Sequence, residues 1–243
     1  MKVIINGACG RMGREVEKLC LSNDRYEIAA KVDKFSNDTD CLTDINAFEG
    51  EADVIIDFSN HLGTKELMEY AVRRNIPVIV STTGHTDEEL EMIKEASKKV
   101  AVFHSANMSL GVALLCELAV KTASVMPDAD IEIVETHHNR KLDAPSGTAL
   151  MIARAIKTVR DNALFKLGRA GNAKREKEEI GIHAVRRGNI VGIHEVLVST
   201  DNQTITIKHE AHSRALFAEG ALSAADYLCG KGAGLYDMNN IIE

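Results

Sequence analysis

The chain has 243 residues, 45% hydrophobic and 27% charged, enough for one large domain or two modest ones with real cores. A formal charge of -7 with no long basic tract argues against nucleic acid as the main partner, and no apolar run approaches a membrane span. Five cysteines, odd in number and never in C-x-x-C, argue against a disulfide framework or a zinc site. With no signal peptide ahead of Asn6-Gly7, they make the cytoplasm the expected location.

In chain order, Val3-Ile4-Ile5 reads as a buried strand and Gly13 to Leu21 as a helix. Glu27 to Val32 and Asp53 to Phe58 read as strands, Leu62 to Arg74 shows helical spacing, and Pro77 to Ser81 is again a buried strand. Thr86 with Glu89 three residues on forms a capping box that opens another helix, and Val100 to His104 follows as a strand. This alternation predicts an α/β domain: a doubly wound parallel sheet with helices on both faces.

The pattern changes after about Ser109. Leu110 to Val125 is a long helix, apolar on most sides, which predicts burial between layers or domains. Strands are expected at Ile131 to Val134, His183 to Arg186, Ile190 to Ser199 and Thr204 to Glu210, the last two joined through Asp201-Asn202-Gln203 as a hairpin. Strands without intervening helices imply a second α+β domain with an open mixed sheet. A helix from about Phe217 to Leu228 is placed back on the first domain. The expected division is therefore 1–109 with 215–243, and 110–214. Arg169 to Glu179, rich in Gly, Ala and charge, reads as a mobile loop.

Gly7-Ala8-Cys9-Gly10-Arg11-Met12-Gly13 lies between the first strand and the first helix, a G-x-x-G-x-x-G variant of the dinucleotide turn. Asp33 ends the second strand about 20 residues past the last glycine, where an acid accepts hydrogen bonds from ribose hydroxyls. That favours NADH; Lys34 and Arg11 instead suit the 2′-phosphate of NADPH, and the two cofactors stay open. Ser81-Thr82-Thr83-Gly84 and Asp57-Phe58-Ser59 follow strands at the carboxyl edge expected for the nicotinamide end.

The richest run is Glu135 to Ala149, E-T-H-H-N-R-K-L-D-A-P-S-G-T-A. His137 and His138 suit proton transfer near neutral pH, and Lys141 attracts carboxylates. A helix starting at Ser146-Gly147-Thr148 offers unpaired amides and a positive dipole end to an anion. The direct reading is a cationic, proton-donating pocket for an acidic small molecule. No metal site is expected, since adjacent histidines lack spaced Cys or Asp/Glu partners, and His104, His209 and His212 have no comparable local company.

On these motifs the chain resembles the 4-hydroxy-tetrahydrodipicolinate reductase (dihydrodipicolinate reductase) family over essentially its whole length. The most specific match is E-x-H-H-x-x-K-x-D-A-P-S-G-T-A from Glu135 to Ala149. Further matches are G-A-C-G-R-M-G at Gly7, S-T-T-G at Ser81, S-A-N-M-S-L-G at Ser105 to Gly111, and the strands from Ile182 to Glu195. The resemblance implies an NADH- or NADPH-dependent reductase of diaminopimelate and lysine biosynthesis that releases water as it reduces its substrate. It also implies a homotetramer, with a Rossmann-like cofactor domain taking both chain ends and the middle carrying substrate and tetramer contacts.

Carried over by position, the resemblance makes His137 and Lys141 assist protonation of the substrate, while His138, Lys141, Gly147 and Thr148 hold its carboxylates. Gly7, Arg11, Met12 and Gly13 form the dinucleotide turn, with Asp33 and Lys34 at the ribose and Ser81, Thr83, Ala106 and Met108 on the nicotinamide side. Three positions depart from the family pattern. Ser81 replaces a frequent glycine, Ser59-Asn60-His61 replaces a loop ending in proline, and Met108 stands where some members carry an aromatic ring. These departures bear on cofactor preference and ring packing, not on reaction class.

Overall fold

A computed structural model describes residues 1–242. They form two compact units, Met1–Ser109 together with the chain from Arg214 onward, and Leu110–Ser213. In the first unit β1 (Lys2–Asn6) leads through a glycine turn into α1 (Arg11–Leu21) and β2 (Glu27–Val32). Then follow β3 (Val54–Asp57), α2 (Thr64–Arg74), β4 (Val78–Val80), α3 (Asp87–Ser97) and β5 (Ala101–His104). The second unit contains α4 (Leu110–Val125), β6 (Asp130–His137), α5 (Gly147–Lys157), β7 (Leu164–Leu167), β8 (Glu179–Arg186), β9 (Gly192–Thr200) and β10 (Gln203–Ala211). The chain then returns to the first unit with α6 (Ala215–Leu228), β11 (Gly234–Tyr236) and α7 (Asn239–Ile242).

The first sheet has the order β11-β5-β4-β3-β1-β2, with every pair parallel. Its strands are short apolar runs because both faces are covered. Ile4, Ile55, Val78, Val80 and Val102 pack with Leu67, Met68 and Ala71 of α2 and Ile93 and Ala96 of α3. The alternate residues Ile5, Ile56, Ile79 and Phe103 are equally buried on the other face, where α6 lies against β3, β4 and β5 and also packs on α1. The capping box of α3 is present: the Thr86 amide donates to Glu89 Oε2 at 2.8 Å, and the Glu89 amide to Thr86 Oγ1 at 3.3 Å. This is the doubly wound, Rossmann-like layer expected from the alternation.

The second sheet has the order β10-β9-β6-β8-β7 and is mixed: β9 is antiparallel to β6 and β10, while β6, β8 and β7 run parallel. Helices α4 and α5 cover one face, burying Ile131, Ile133, Ile180, Ile182, Val196 and Val198 under Leu115, Ala119, Ile152 and Ile156. Four sequence expectations change here. Helix α4 buries one stripe only; Leu114, Leu118 and Val125 are exposed, so its apolar composition exceeds what its packing uses. Strand β6 runs on to His137, because pairing with β8 and β9 continues through Glu135 and Thr136.

Strands β7 and β11, too short for a clear period, add an edge to each sheet. The stretch expected as a mobile loop is stitched to β6: Arg169 Nη2 lies 3.0 Å from Glu132 Oε1, and Arg175 reaches Asp130 at 2.7 Å and Glu132 at 3.2 Å. Among the described residues no helix is long and apolar enough to cross a membrane.

Candidate active site

In the first unit the glycine turn is dictated by space. Gly7 takes φ +82°, and a Cβ there would lie 2.6 Å from the Phe58 carbonyl oxygen. A Cβ on Gly13 would lie 2.2 Å from the Gly7 carbonyl oxygen, so α1 can approach the turn only without a side chain. The turn is fixed by the Gly7 and Ala8 amides, which donate to the Val32 carbonyl at 2.8 and 3.1 Å. Asp33 stands beside it, accepting from the Cys9 amide at 3.0 Å and the Phe35 amide at 3.1 Å.

Gly7, Gly10, Asp33 and Lys34 line one cavity of about 430 Å³, together with Phe35, Phe58, Ser59, Asn60 and Leu62. Phe35 and Leu62 are 85% and 80% exposed, an apolar rim suited to a planar base. Arg11 is exposed and Met12 half-buried at the start of α1, whose first turn holds no acidic residue. The residues present thus fit a dinucleotide. Sequence reasoning missed Phe35 and Leu62, whose approach depends on loops that carry no periodic signal.

Ser81, Thr83, Ala106 and Met108 lie after β4 and β5, outside that cavity lining. Ser81 is buried, Thr83 and Ala106 are exposed, and Met108 is buried, with its carbonyl against Gly220 of α6. Beside them Asp57 is buried at the end of β3. It accepts from Ser59 Oγ at 2.5 Å, Thr82 Oγ1 at 2.7 Å and Asn6 Nδ2 at 2.8 Å; burial still pushes its carboxyl above the ordinary value. His104, without company in sequence, meets His85 edge-on at 5.5 Å between ring centroids.

In the second unit the helix-covered face of the sheet is apolar along most of its length and polar at one end. The two-residue period of β6 that buries Ile131 and Ile133 brings Glu135 and His137 to the same face. Register adds Arg186 of β8 opposite His137 and His194 of β9 opposite Glu135. Glu135, fully buried, takes a two-pronged grip from Arg186 at 2.7 and 2.8 Å, the Ser146 amide at 3.0 Å and His137 Nδ1 at 2.5 Å.

Burial acts to raise the Glu135 pKa, but hydrogen bonds from His137, Arg186 and the Ser146 amide outweigh it and hold the carboxyl at about 2. An ionised Glu135 only accepts, so the proton in its bond sits on His137 Nδ1. That leaves Nε2 for chemistry. His194, its ring 5.2 Å from that of His137, bonds Ser146 Oγ at 3.1 Å; burial and the neighbouring His137 push it down to about 4.

Ser146 caps α5, its Oγ accepting from the Ala149 amide at 3.2 Å. Lys141 Nζ lies 2.9 Å from Asp143 Oδ1, and the Asp143 carboxyl lies below its ordinary value chiefly through Lys141. Asp143 thus pairs with Lys141 within the short stretch between β6 and α5. The structure therefore links His137 to the start of α5 through Glu135 and Ser146, and pairs Lys141 with Asp143. Thr148 follows in the first turn of α5, and His138 sits just past β6 with its amide on the Ile190 carbonyl at 2.8 Å. Glu135, Arg186 and His194 were missed as site residues. The E-x-H spacing signals only Glu135; the other two depend on strand register.

Two family descriptions match the chain: "Dihydrodipicolinate reductase, N-terminus" over residues 1–108 and "Dihydrodipicolinate reductase, C-terminus" over residues 111–242. The 4-hydroxy-tetrahydrodipicolinate reductase of Caldanaerobacter subterraneus subsp. tengcongensis is 47% identical, covering 100% of this chain and 98% of its own. That of Clostridium novyi is 42% identical with the same coverage. Among solved structures, dipicolinate-bound dihydrodipicolinate reductase from Paenisporosarcina sp. TG-14 superposes with a TM-score of 0.85 at 25% identity, covering 99% of each chain.

Proposed function

The chain belongs to the dihydrodipicolinate reductase family, and we propose that it reduces 4-hydroxy-tetrahydrodipicolinate to tetrahydrodipicolinate, with loss of water, at the expense of NADH or NADPH. The observation that carries this reading is the buried Glu135–His137 pair, held at the polar end of β6 next to the Ser146–Gly147 helix start. The first unit is the dinucleotide-binding domain, with Gly7, Arg11, Met12 and Gly13 at the pyrophosphate and Asp33 and Lys34 at the ribose. Ser81, Thr83, Ala106 and Met108 serve the nicotinamide side. Asp33 suits the free ribose of NADH and Lys34 the 2′-phosphate of NADPH, so either cofactor is accepted.

The bound dinucleotide supplies the hydride. The chain's own part is to hold a ring dicarboxylate and move a proton. Lys141 and the amides of Gly147 and Thr148 bind one carboxylate by displacing Asp143, and His138 helps to hold the charges. His137, with its Nδ1 proton fixed by Glu135, acts through Nε2, and Lys141 shares the task of protonating the ring. The second unit is also the oligomerisation domain of a homotetramer, supported by the sheet face that no helix of the unit covers. The same reading places the enzyme in the cytoplasm, in keeping with five free cysteines.

The test is a coupled assay. Substrate is generated from pyruvate and aspartate semialdehyde with the preceding synthase, and oxidation of NADH or NADPH is followed in separate runs. Absence of oxidation with both cofactors would overturn the assignment.

A further inference from the structure

Cys9 and Cys41 are 32 residues apart in sequence, yet their sulfurs lie 4.0 Å from one another in the first unit. Cys9 belongs to the glycine turn, is half-buried, and bonds Ser36 Oγ at 3.4 Å. Cys41 is buried where the chain rejoins β2: the Leu42 amide donates to the Lys31 carbonyl, and the Asp33 amide to the Leu42 carbonyl, each at 2.8 Å. Between Asp33 and Cys41 the backbone bonds are local, Ser36 to the Asp33 carbonyl at 3.0 Å and Cys41 to the Asp38 carbonyl at 3.2 Å, and Asp38 also pairs with Lys31 of β2 at 3.9 Å. One sulfur thus rides on a fixed turn and the other on a loop. Both flank Asp33.

We propose that Cys9 and Cys41 form a reversible dithiol–disulfide pair, and that closing the bond weakens dinucleotide binding in the adjoining cavity. The second half of this proposal rests on the dinucleotide reading given above; the first half does not. A disulfide needs its sulfurs at about 2.05 Å, so one side must move by roughly 2 Å. The turn is pinned through Gly7 and Ala8, whereas from Lys34 to Asp40 the loop has no backbone sheet or helix bonds and only a 3.9 Å ion pair of Asp38 with Lys31 ties it to β2. The loop therefore moves, and it carries Lys34 and Phe35 of the cavity wall. It must also give up the Cys9–Ser36 contact.

The oxidant is a small-molecule disulfide. Cys9, the more exposed thiol, loses its proton and attacks one sulfur of the reagent, forming a mixed disulfide and releasing one thiolate. Cys41 then loses its proton and attacks the Cys9 sulfur, expelling the second thiolate. The two protein thiols give up two electrons and two protons, and the reagent becomes two thiols. Burial pushes the Cys41 thiol up, which suits it to the second step rather than the first.

The experiment treats the whole protein with hydroxyethyl disulfide and maps disulfides on unreduced peptides. NADH and NADPH are then titrated before oxidation, after it, and after dithiothreitol. The expected result is a Cys9–Cys41 linked peptide, a dinucleotide Kd raised on the order of tenfold, and full recovery on reduction. Because linkage is reciprocal, saturating dinucleotide should then make the pair's reduction potential more positive by about 30 mV, the two-electron equivalent of tenfold. Cys41→Ala should keep its melting temperature and reduced-state affinity, and yield only the mixed disulfide at Cys9. Absence of the linked peptide, or a linked form with unchanged affinity, overturns the proposal. A reduced protein that binds neither dinucleotide fails elsewhere: it removes the function proposed above and the coupling with it, whatever the mapping shows.

Discussion

His137 is placed by a charge rather than by packing alone. Glu135 has no exposure to water, so its ionised state survives only through Arg186, the Ser146 amide and His137. His137→Ala and Lys141→Ala should lower kcat by roughly 100- to 10,000-fold, the span of a lost acid–base group, with dinucleotide Kd unchanged in a fluorescence titration. Glu135→Gln keeps the shape and removes the charge. It should cost roughly tenfold or more in kcat and displace the pH–rate profile, a change that a purely structural role would not produce.

Asp143 already pairs with Lys141, so at the proposed carboxylate site a substrate competes with it. An exposed pair of this kind is worth about 0–1 kcal/mol, and Asp143→Asn should therefore lower KM by up to about fivefold in the coupled assay.

Proton linkage at the same cluster has a definite sign. Glu135 titrates at about 2 in the fold against an ordinary 4.5, so its contribution is complete above about pH 4.5 and is lost as pH falls toward 2. His194 titrates at about 4 against an ordinary 6.5, so the unfolded chain binds its proton first and stability falls from pH 6.5 toward pH 4. The melting temperature should decline over that upper window, and His194→Gln should flatten the decline there while leaving the steeper loss below pH 4.5. An unchanged slope in the variant would rule out His194 as its source.

At the scale of elements, what could be read from sequence depended on whether a signal is local. The parallel sheet was legible because β1, β3 and β4 are apolar runs each followed by a periodic helix, and the α3 cap because Thr86 and Glu89 are three residues apart. The glycine turn was legible for a steric reason: Gly13 leaves no room for a Cβ beside Gly7. Gly13→Ala should cost roughly 1–3 kcal/mol by overpacking and abolish dinucleotide binding, seen as a lower melting temperature and a flat titration. If binding survives, α1 does not need its close approach to the turn.

Strand register and loop approach were not legible, since no short window encodes them. Arg186 meets Glu135 from 51 residues away, and Cys9 meets Cys41 across a loop of local turns. Helix α4 shows the opposite failure: its composition overstated its burial, because Leu114 and Leu118 remain exposed on the chain.

For the molecule as a whole, the second sheet poses the question of its uncovered face. Helices α4 and α5 bury one side, while alternation and register put Val134, Thr136, His183, Val185, Glu195 and Leu197 on the other. That face is neither bare nor wholly polar. Glu132 of the central strand β6 gathers Arg169, Arg175 and His183 at 3.0, 3.2 and 2.7 Å, while Val185 and Leu197 offer apolar area between strands. A sheet with one open face is stabilised by apposing a second such face, and copies of one chain do so by symmetry.

For the homotetramer proposed above, light scattering should give four times the 26.5 kDa chain mass at micromolar concentration. Val185→Lys with Leu197→Lys should lower that mass while retaining dinucleotide binding in the first unit, because neither residue belongs to that unit. A tetramer that persists in the double variant would move the contact to another surface, and the exposed stripe of α4 at Leu114 and Leu118 would be the next to alter.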